Sequence, residues 1–141
     1  MKYSMRTLAV PALFLSMTAT ALAASPAAPG AKVMIIEPAD GATVTNPITV
    51  KFGVEKMEIV PAGTDKPHSG HHHLLIDATD MPAAGMPIAK DDRHQHFGKG
   101  QTETSITLPP GKHTLQLVLG DKDHVPHEPM VASQKITITV K

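Results

Sequence analysis

Hydrophobic and polar residues alternate in several short stretches of the chain, and this period of two is typical of β-strands with one buried face. It is clearest at 48–54 and 115–119, where every second residue is Ile, Val, Phe or Leu. Shorter runs predict further strands at 33–36, 57–60, 71–77, 94–97, 102–108 and 136–140. Because Pro, Gly and Asp separate many of these runs, each run is predicted to end in a turn.

The spacing of these runs predicts an all-β fold, namely an immunoglobulin-like antiparallel β-sandwich of about seven to eight short strands. No stretch shows the periodicity of an amphipathic helix. The sandwich is expected to occupy 32–141, after a flexible leader at 25–31 that is rich in Pro and Ala. The stretch 78–93 holds several turn-forming residues and predicts a long loop, a kind of element that is often functional.

The first 24 residues have the pattern of a secretory signal peptide. Lys2 and Arg6 precede an apolar run over 8–17, and small residues follow near Ala23. That run is too short for a stable transmembrane helix. The sequence therefore predicts export to the periplasm, with no stable membrane anchor after cleavage.

Several kinds of chemistry are not supported by the composition. Without cysteine the chain has no disulfide, thiolate metal site or cysteine nucleophile. It also lacks a Gly-x-Ser-x-Gly motif, and no residue stands out as a general base, so we expect no enzymatic activity. The lysines are scattered and aromatic residues are few, which argues against binding to nucleic acid.

Histidine is the residue type that points to function. The chain has nine histidines. Eight of them fall into three clusters: His68, His71, His72 and His73; His94 and His96; His124 and His127. On a strand, alternate side chains share a face about 6.5–7 Å apart, so two imidazoles of a His-x-His pair can converge on one ion.

The three consecutive histidines divide between the two faces of their predicted strand. His72 has the parity of Leu74 and Ile76, which predicts that it lies in the core. His71 and His73 are then expected on the accessible face. Whether they form a site depends on whether His94 and His96 lie on the neighbouring strand.

These patterns predict a periplasmic binding module for copper or zinc, with a carrier or buffer role. The candidate ligands are His71, His73, His94, His96, His124 and His127. Imidazole suits Zn²⁺, Cu²⁺ and Ni²⁺, and thioethers at Met81 and Met86 would favour copper. The alternative is a structural or interaction domain that binds an envelope protein or glycan through the 78–93 loop, with structural or solvated histidines. A pH-responsive surface is a third possibility.

Two further residues have predicted structural roles. His113 follows a Pro-Pro-Gly turn at the start of a strand, where immunoglobulin-like domains often have a tyrosine that bonds back to the main chain, and an imidazole can do the same. Asp121 is expected to organise main-chain N–H groups in an Asx-type turn within the loop 120–127.

Three blocks of the sequence carry a resemblance to a known family. They are Gly70-His-His-His-Leu-Leu-Ile-Asp77, His96-Phe-Gly-Lys-Gly-Gln-Thr-Glu103 and Leu119-Gly-Asp-Lys-Asp-His-Val-Pro-His127. In this order they resemble the bacterial domain-of-unknown-function family 4399 over about 48–141. That resemblance implies a small exported protein and points to no particular activity. The turn Pro38-Ala-Asp-Gly-Ala42 is also similar to the opening of CopC-like periplasmic copper carriers, although the expected mature end lacks their N-terminal histidine.

Overall fold

A computed structural model describes residues 22–141, so nearly all of the predicted signal peptide at 1–24 lies outside the described residues. The described part contains nine strands. They are β1 Lys32–Glu37, β2 Thr43–Val44, β3 Ile48–Glu55, β4 Glu58–Ile59, β5 Ser69–Ile76, β6 His94–His96, β7 Glu103–Ile106, β8 Gly111–Gly120 and β9 Ile136–Val140. None of residues 22–141 forms a helix suited to crossing a bilayer.

The strands form two sheets. The smaller has the order β1-β3-β7, and the larger has the order β2-β9-β8-β5-β4, with β6 also pairing to β5. All pairings are antiparallel except β2 with β9 and β4 with β5. This confirms the predicted all-β sandwich. The strand that the sequence did not indicate is β2, because a two-residue strand is too short to show alternation.

The main core lies between the two sheets. It is aliphatic, with Val50 and Phe52 from β3 packed against residues such as Leu74 of β5 and Leu117 of β8. His72 is fully buried in this layer, and its ring centroid lies 5.0 Å from that of Phe52. The alternation in β5 therefore placed His72 correctly.

The outer face of the larger sheet is covered as well. Leu75 and Val118 form a second apolar cluster with Ile88, which comes from the long loop after β5. This loop is bonded to the segment after β8, since Ile88 N donates to His124 O at 2.8 Å. His71 and His73 lie on this covered face and are each 1% exposed, so the expectation that they are accessible was wrong. Loops from distant parts of the chain bury them.

The segment 25–31, expected to be a flexible leader, is instead paired with the domain. Ala27 N donates to Glu128 O and Glu128 N donates to Ser25 O, both at 3.0 Å. The Ser25 hydroxyl donates to Asp121 Oδ2 at 2.9 Å. A Pro-rich segment can pack in this way because its free N–H groups find carbonyl partners on the neighbouring loop.

Candidate metal centre

Strand pairing brings three of the candidate histidines together. Because β5 alternates between faces, His71 and His73 both point to the outer side of the larger sheet. The antiparallel pairing of β5 with β6 places His96 directly opposite His73. The two His-x-His segments thus lie on neighbouring strands, as the sequence hypothesis required.

The fourth histidine comes from the turn after β8. His124 has a φ of 65°, which is uncommon for a residue other than glycine. Asp121 holds this turn, because its Oδ1 accepts from Asp123 N at 2.9 Å and from Val125 N at 3.0 Å. This confirms the predicted role of Asp121. The turn returns His124 to the end of β5, where His71 is registered with Gly120.

His71, His73, His96 and His124 form one compact group, referred to below as the four-histidine cluster. Each offers one ring nitrogen, and all four atoms lie within 4.8 Å of one another. The Nε2 atom of His71 lies 3.0 Å from His73 Nε2 and 3.0 Å from His124 Nδ1. For metal–nitrogen bonds of about 2.0–2.1 Å, tetrahedral ligands are roughly 3.3–3.4 Å apart, so small shifts would bring the cluster around one ion.

Hydrogen bonding alone accounts poorly for this arrangement. An imidazole nitrogen carries either one proton or one lone pair, so His71 Nε2 cannot make two full bonds to the nitrogens of His73 and His124. The buried atoms His71 Nδ1, His73 Nδ1 and His96 Nε2 have no hydrogen-bond partner among residues 22–141. A cation at the centre would bind the converging Nε2 lone pairs of His71 and His73, and the Nδ1 atoms of these two rings would then carry the ring protons.

The surroundings keep His71, His73 and His96 neutral. Burial, reinforced by the neighbouring imidazoles, lowers the pKa of His71 to about 4 and that of His73 to about 2. Burial also lowers the pKa of His96, and His124 and the Lys90 ammonium add to that effect. A neutral imidazole has the free lone pair that a metal ion needs. The low pKa values therefore favour metal binding at neutral pH.

Three glycines make room for the histidine rings. A Cβ atom at Gly120 would lie 2.7 Å from His73 Nε2, and one at Gly70 would lie 2.8 Å from His127 Cε1. A Cβ atom at Gly98 would overlap the His96 ring. None of the three has a positive φ, so space rather than backbone conformation requires glycine here. The sequence analysis missed these residues, since nothing in the linear pattern shows which ring packs against them.

Two candidate ligands lie outside the four-histidine cluster. His94 is opposite Leu75, further along β5, and its Nδ1 lies 2.7 Å from Asp91 Oδ1. His127 is 2% exposed, and its Nε2 lies 2.9 Å from the main-chain oxygen of Ser69. Of the sequence pair His124 and His127, the structure therefore places only His124 with the other imidazoles of the cluster.

His113 has the structural position that its context predicted. His113 Nε2 lies 2.8 Å from the main-chain oxygen of Pro109, as expected for a corner residue. Its Nδ1 lies 2.7 Å from Asp77 Oδ2, and this hydrogen bond raises the pKa of His113. His68 is exposed in its loop.

A cavity of about 130 Å³ adjoins the four-histidine cluster. Three of the cluster residues line it, together with three residues of the long loop after β5. These six are His73, His96, His124, Pro87, Ile88 and Lys90. The larger sheet thus covers one side of the four-histidine cluster, and the opposite side faces this small cavity.

Together, the fold and the site define a β-sandwich domain with a group of four histidines, two buried and two partly buried, that can hold a metal ion. The chain belongs to the family described as Domain of unknown function (DUF4399), whose model matches residues 50–141. All four cluster histidines lie within the matched range. The comparison with curated proteins found no match, and the comparison with solved structures found none either. The resemblance to CopC-like carriers is therefore not shown.

Proposed function

We propose that this protein is a periplasmic binding module for a transition-metal ion, copper first and zinc second, with a carrier or buffer role. The observation that supports metal binding is the convergence of four imidazole nitrogens within 4.8 Å of one another. The periplasmic location rests on the predicted signal peptide. The four ligands are His71, His73, His96 and His124.

The donor set supports the choice of metal. Imidazole nitrogens bind Zn²⁺, Cu²⁺ and Ni²⁺ well, whereas Mg²⁺ and Ca²⁺ prefer oxygen ligands. For a given site the divalent ions follow an order in which Cu²⁺ binds more tightly than Zn²⁺. The cluster contains neither thiolate nor carboxylate. Copper(II) is therefore the first candidate and zinc the second.

A titration with matched variants tests the proposal. The mature protein is purified without a metal-affinity column, treated with a chelator, and titrated with Cu²⁺ and Zn²⁺ against a competing chromophoric ligand. We expect one ion per chain and at least tenfold weaker binding for His96→Gln. His94→Gln is the matched control, because it changes the other histidine of the same strand, and it should bind as the wild type does. Equal affinities for both variants would refute the assignment.

A second candidate function is the interaction domain considered in the sequence analysis. The observation that favours it is that Met81 and Met86 are 40% and 43% exposed and both line a cavity of about 270 Å³ in the long loop after β5. Exposed apolar side chains around a cavity are typical of binding surfaces. This function predicts an envelope partner that co-purifies in the presence of chelator and is lost in a Met81→Ser/Met86→Ser variant. Co-purification unchanged by this double substitution would argue against it.

A further inference from the structure

The net charge of a loaded four-histidine cluster is the starting point for a further inference, which rests on the proposed metal-binding function. An imidazole must be neutral to bind a metal ion, and the cluster contains no carboxylate. A divalent ion bound there keeps its two positive charges. An excess of charge in a buried site is costly unless an anion offsets it.

Asp121 offsets part of this charge without binding the ion. It is 2% exposed and directly follows Gly120, which is registered with His71. However, its two oxygens are already engaged, since Oδ1 accepts from Asp123 N and Val125 N, and Oδ2 accepts from the hydroxyl and N–H of Ser25. After Asp121 is counted, one positive charge remains.

Lys90 adds a positive charge beside the open side of the cluster. It lines the cavity of about 130 Å³ together with His96. Lys90 is exposed, and among residues 22–141 it forms no ion pair. Water screens its repulsion from a bound metal ion, but an anion in the cavity would be attracted by both positive charges.

The geometry points to a binding site for a small monoanion, such as a carboxylate, in the cavity between the bound metal ion and Lys90. From this cavity, which His73, His96 and His124 line, the anion would supply an oxygen or nitrogen donor as a fifth ligand, and its negative charge would interact with the ammonium. The volume of the cavity gives room for a small anion such as formate, acetate or azide.

Azide binding to the copper-loaded protein tests this inference, because azide coordinated to Cu²⁺ has a strong charge-transfer absorption. The protein is first loaded with one Cu²⁺ and freed of excess metal, and azide is then titrated. We expect a saturable absorption band, and formate should compete with azide for the site. Copper content is measured after each titration to show that the ion has stayed bound.

Two lysine variants test the role of the ammonium. Lys90→Gln should weaken azide binding roughly three- to tenfold, because one nearby positive charge is lost. Lys112→Gln is the matched control, since Lys112 lies at the far end of β8 from Gly120, and it should leave azide affinity unchanged.

The outcomes separate this inference from the proposed function. Stoichiometric copper without an azide band, or an azide band that formate does not diminish, would overturn the anion site and leave metal binding intact. Equal azide affinities for Lys90→Gln and Lys112→Gln would show that the Lys90 ammonium does not contribute to anion binding. If copper does not bind stoichiometrically, the proposed function fails and the anion site fails with it.

Discussion

Replacing His72 by leucine tests the energetics of the core most sharply. His72 is fully buried against Phe52, and neither ring nitrogen has a hydrogen-bond partner among the described residues. An unsatisfied buried polar group costs about 1–3 kcal/mol. Leucine has a similar size and no polar atom, so His72→Leu should raise the free energy of unfolding at pH 7 by an amount in this range.

The gain should be larger in acid. Burial lowers the pKa of His72 from 6.5 to about 4, so between these values the unfolded chain binds a proton that the folded chain does not. The folded state therefore loses stability as the pH falls. For these two pKa values the loss is about 0.2 kcal/mol at pH 7 and about 2 kcal/mol at pH 5. The advantage of His72→Leu should thus grow by about 2 kcal/mol over this interval.

Urea unfolding in the presence of chelator measures this difference. Circular dichroism is the suitable signal, because the chain has no Trp and its one Tyr, Tyr3, lies in the predicted signal peptide. The exposed His68 provides a control, since His68→Leu should stay within about 0.5 kcal/mol of the wild type at both pH values. If the wild type and His72→Leu lose stability in parallel from pH 7 to pH 5, the assignment of the acid sensitivity to His72 is wrong.

Three further predictions concern the metal centre and its supports. Gly120→Ala should keep the fold but weaken Cu²⁺ binding at least tenfold, because the added Cβ would lie 2.7 Å from His73 Nε2. Gly53→Ala is the control: its added Cβ would contact only flexible side chains, so this variant should bind Cu²⁺ normally in the same titration. Asp121→Ala should lower the free energy of unfolding by about 2–4 kcal/mol, as measured with urea, because buried N–H groups lose a charged acceptor. From pH 7.5 to 6.0, the Cu²⁺ affinity measured in the same titration should fall roughly tenfold or less, since burial lowers the pKa of three cluster histidines. A site of four imidazoles with ordinary pKa values would lose about 200-fold in Cu²⁺ affinity over this interval.

The sequence predicted the strands well because their alternation is a local property. The patterns at 48–54 and 115–119 correspond to β3 and to the end of β8. The parity of His72 with Leu74 also predicted correctly which of the three consecutive histidines enters the core. In each case the side chain's position follows from its own strand, so no knowledge of distant segments was needed.

The composition of the site could be predicted only in part, because it depends on contacts between distant segments. His94 and His96 have the same spacing as His71 and His73, but the register of β5 with β6 places His96, and not His94, opposite His73. The choice of His124 depends on the turn after β8. The burial of His71 likewise results from loops that fold back over the sheet. None of these tertiary contacts is encoded in a local pattern.

X-ray absorption at the metal edge of the loaded protein tests the central claim most directly, because it counts imidazoles around the ion. For the wild type we predict four imidazole nitrogens at about 2.0–2.1 Å, with at most one additional light donor. The His94→Gln variant should give the same spectrum, and His96→Gln should lose one imidazole. A spectrum with two or fewer imidazoles, or one that changes in His94→Gln and not in His96→Gln, would contradict a metal centre formed by His71, His73, His96 and His124.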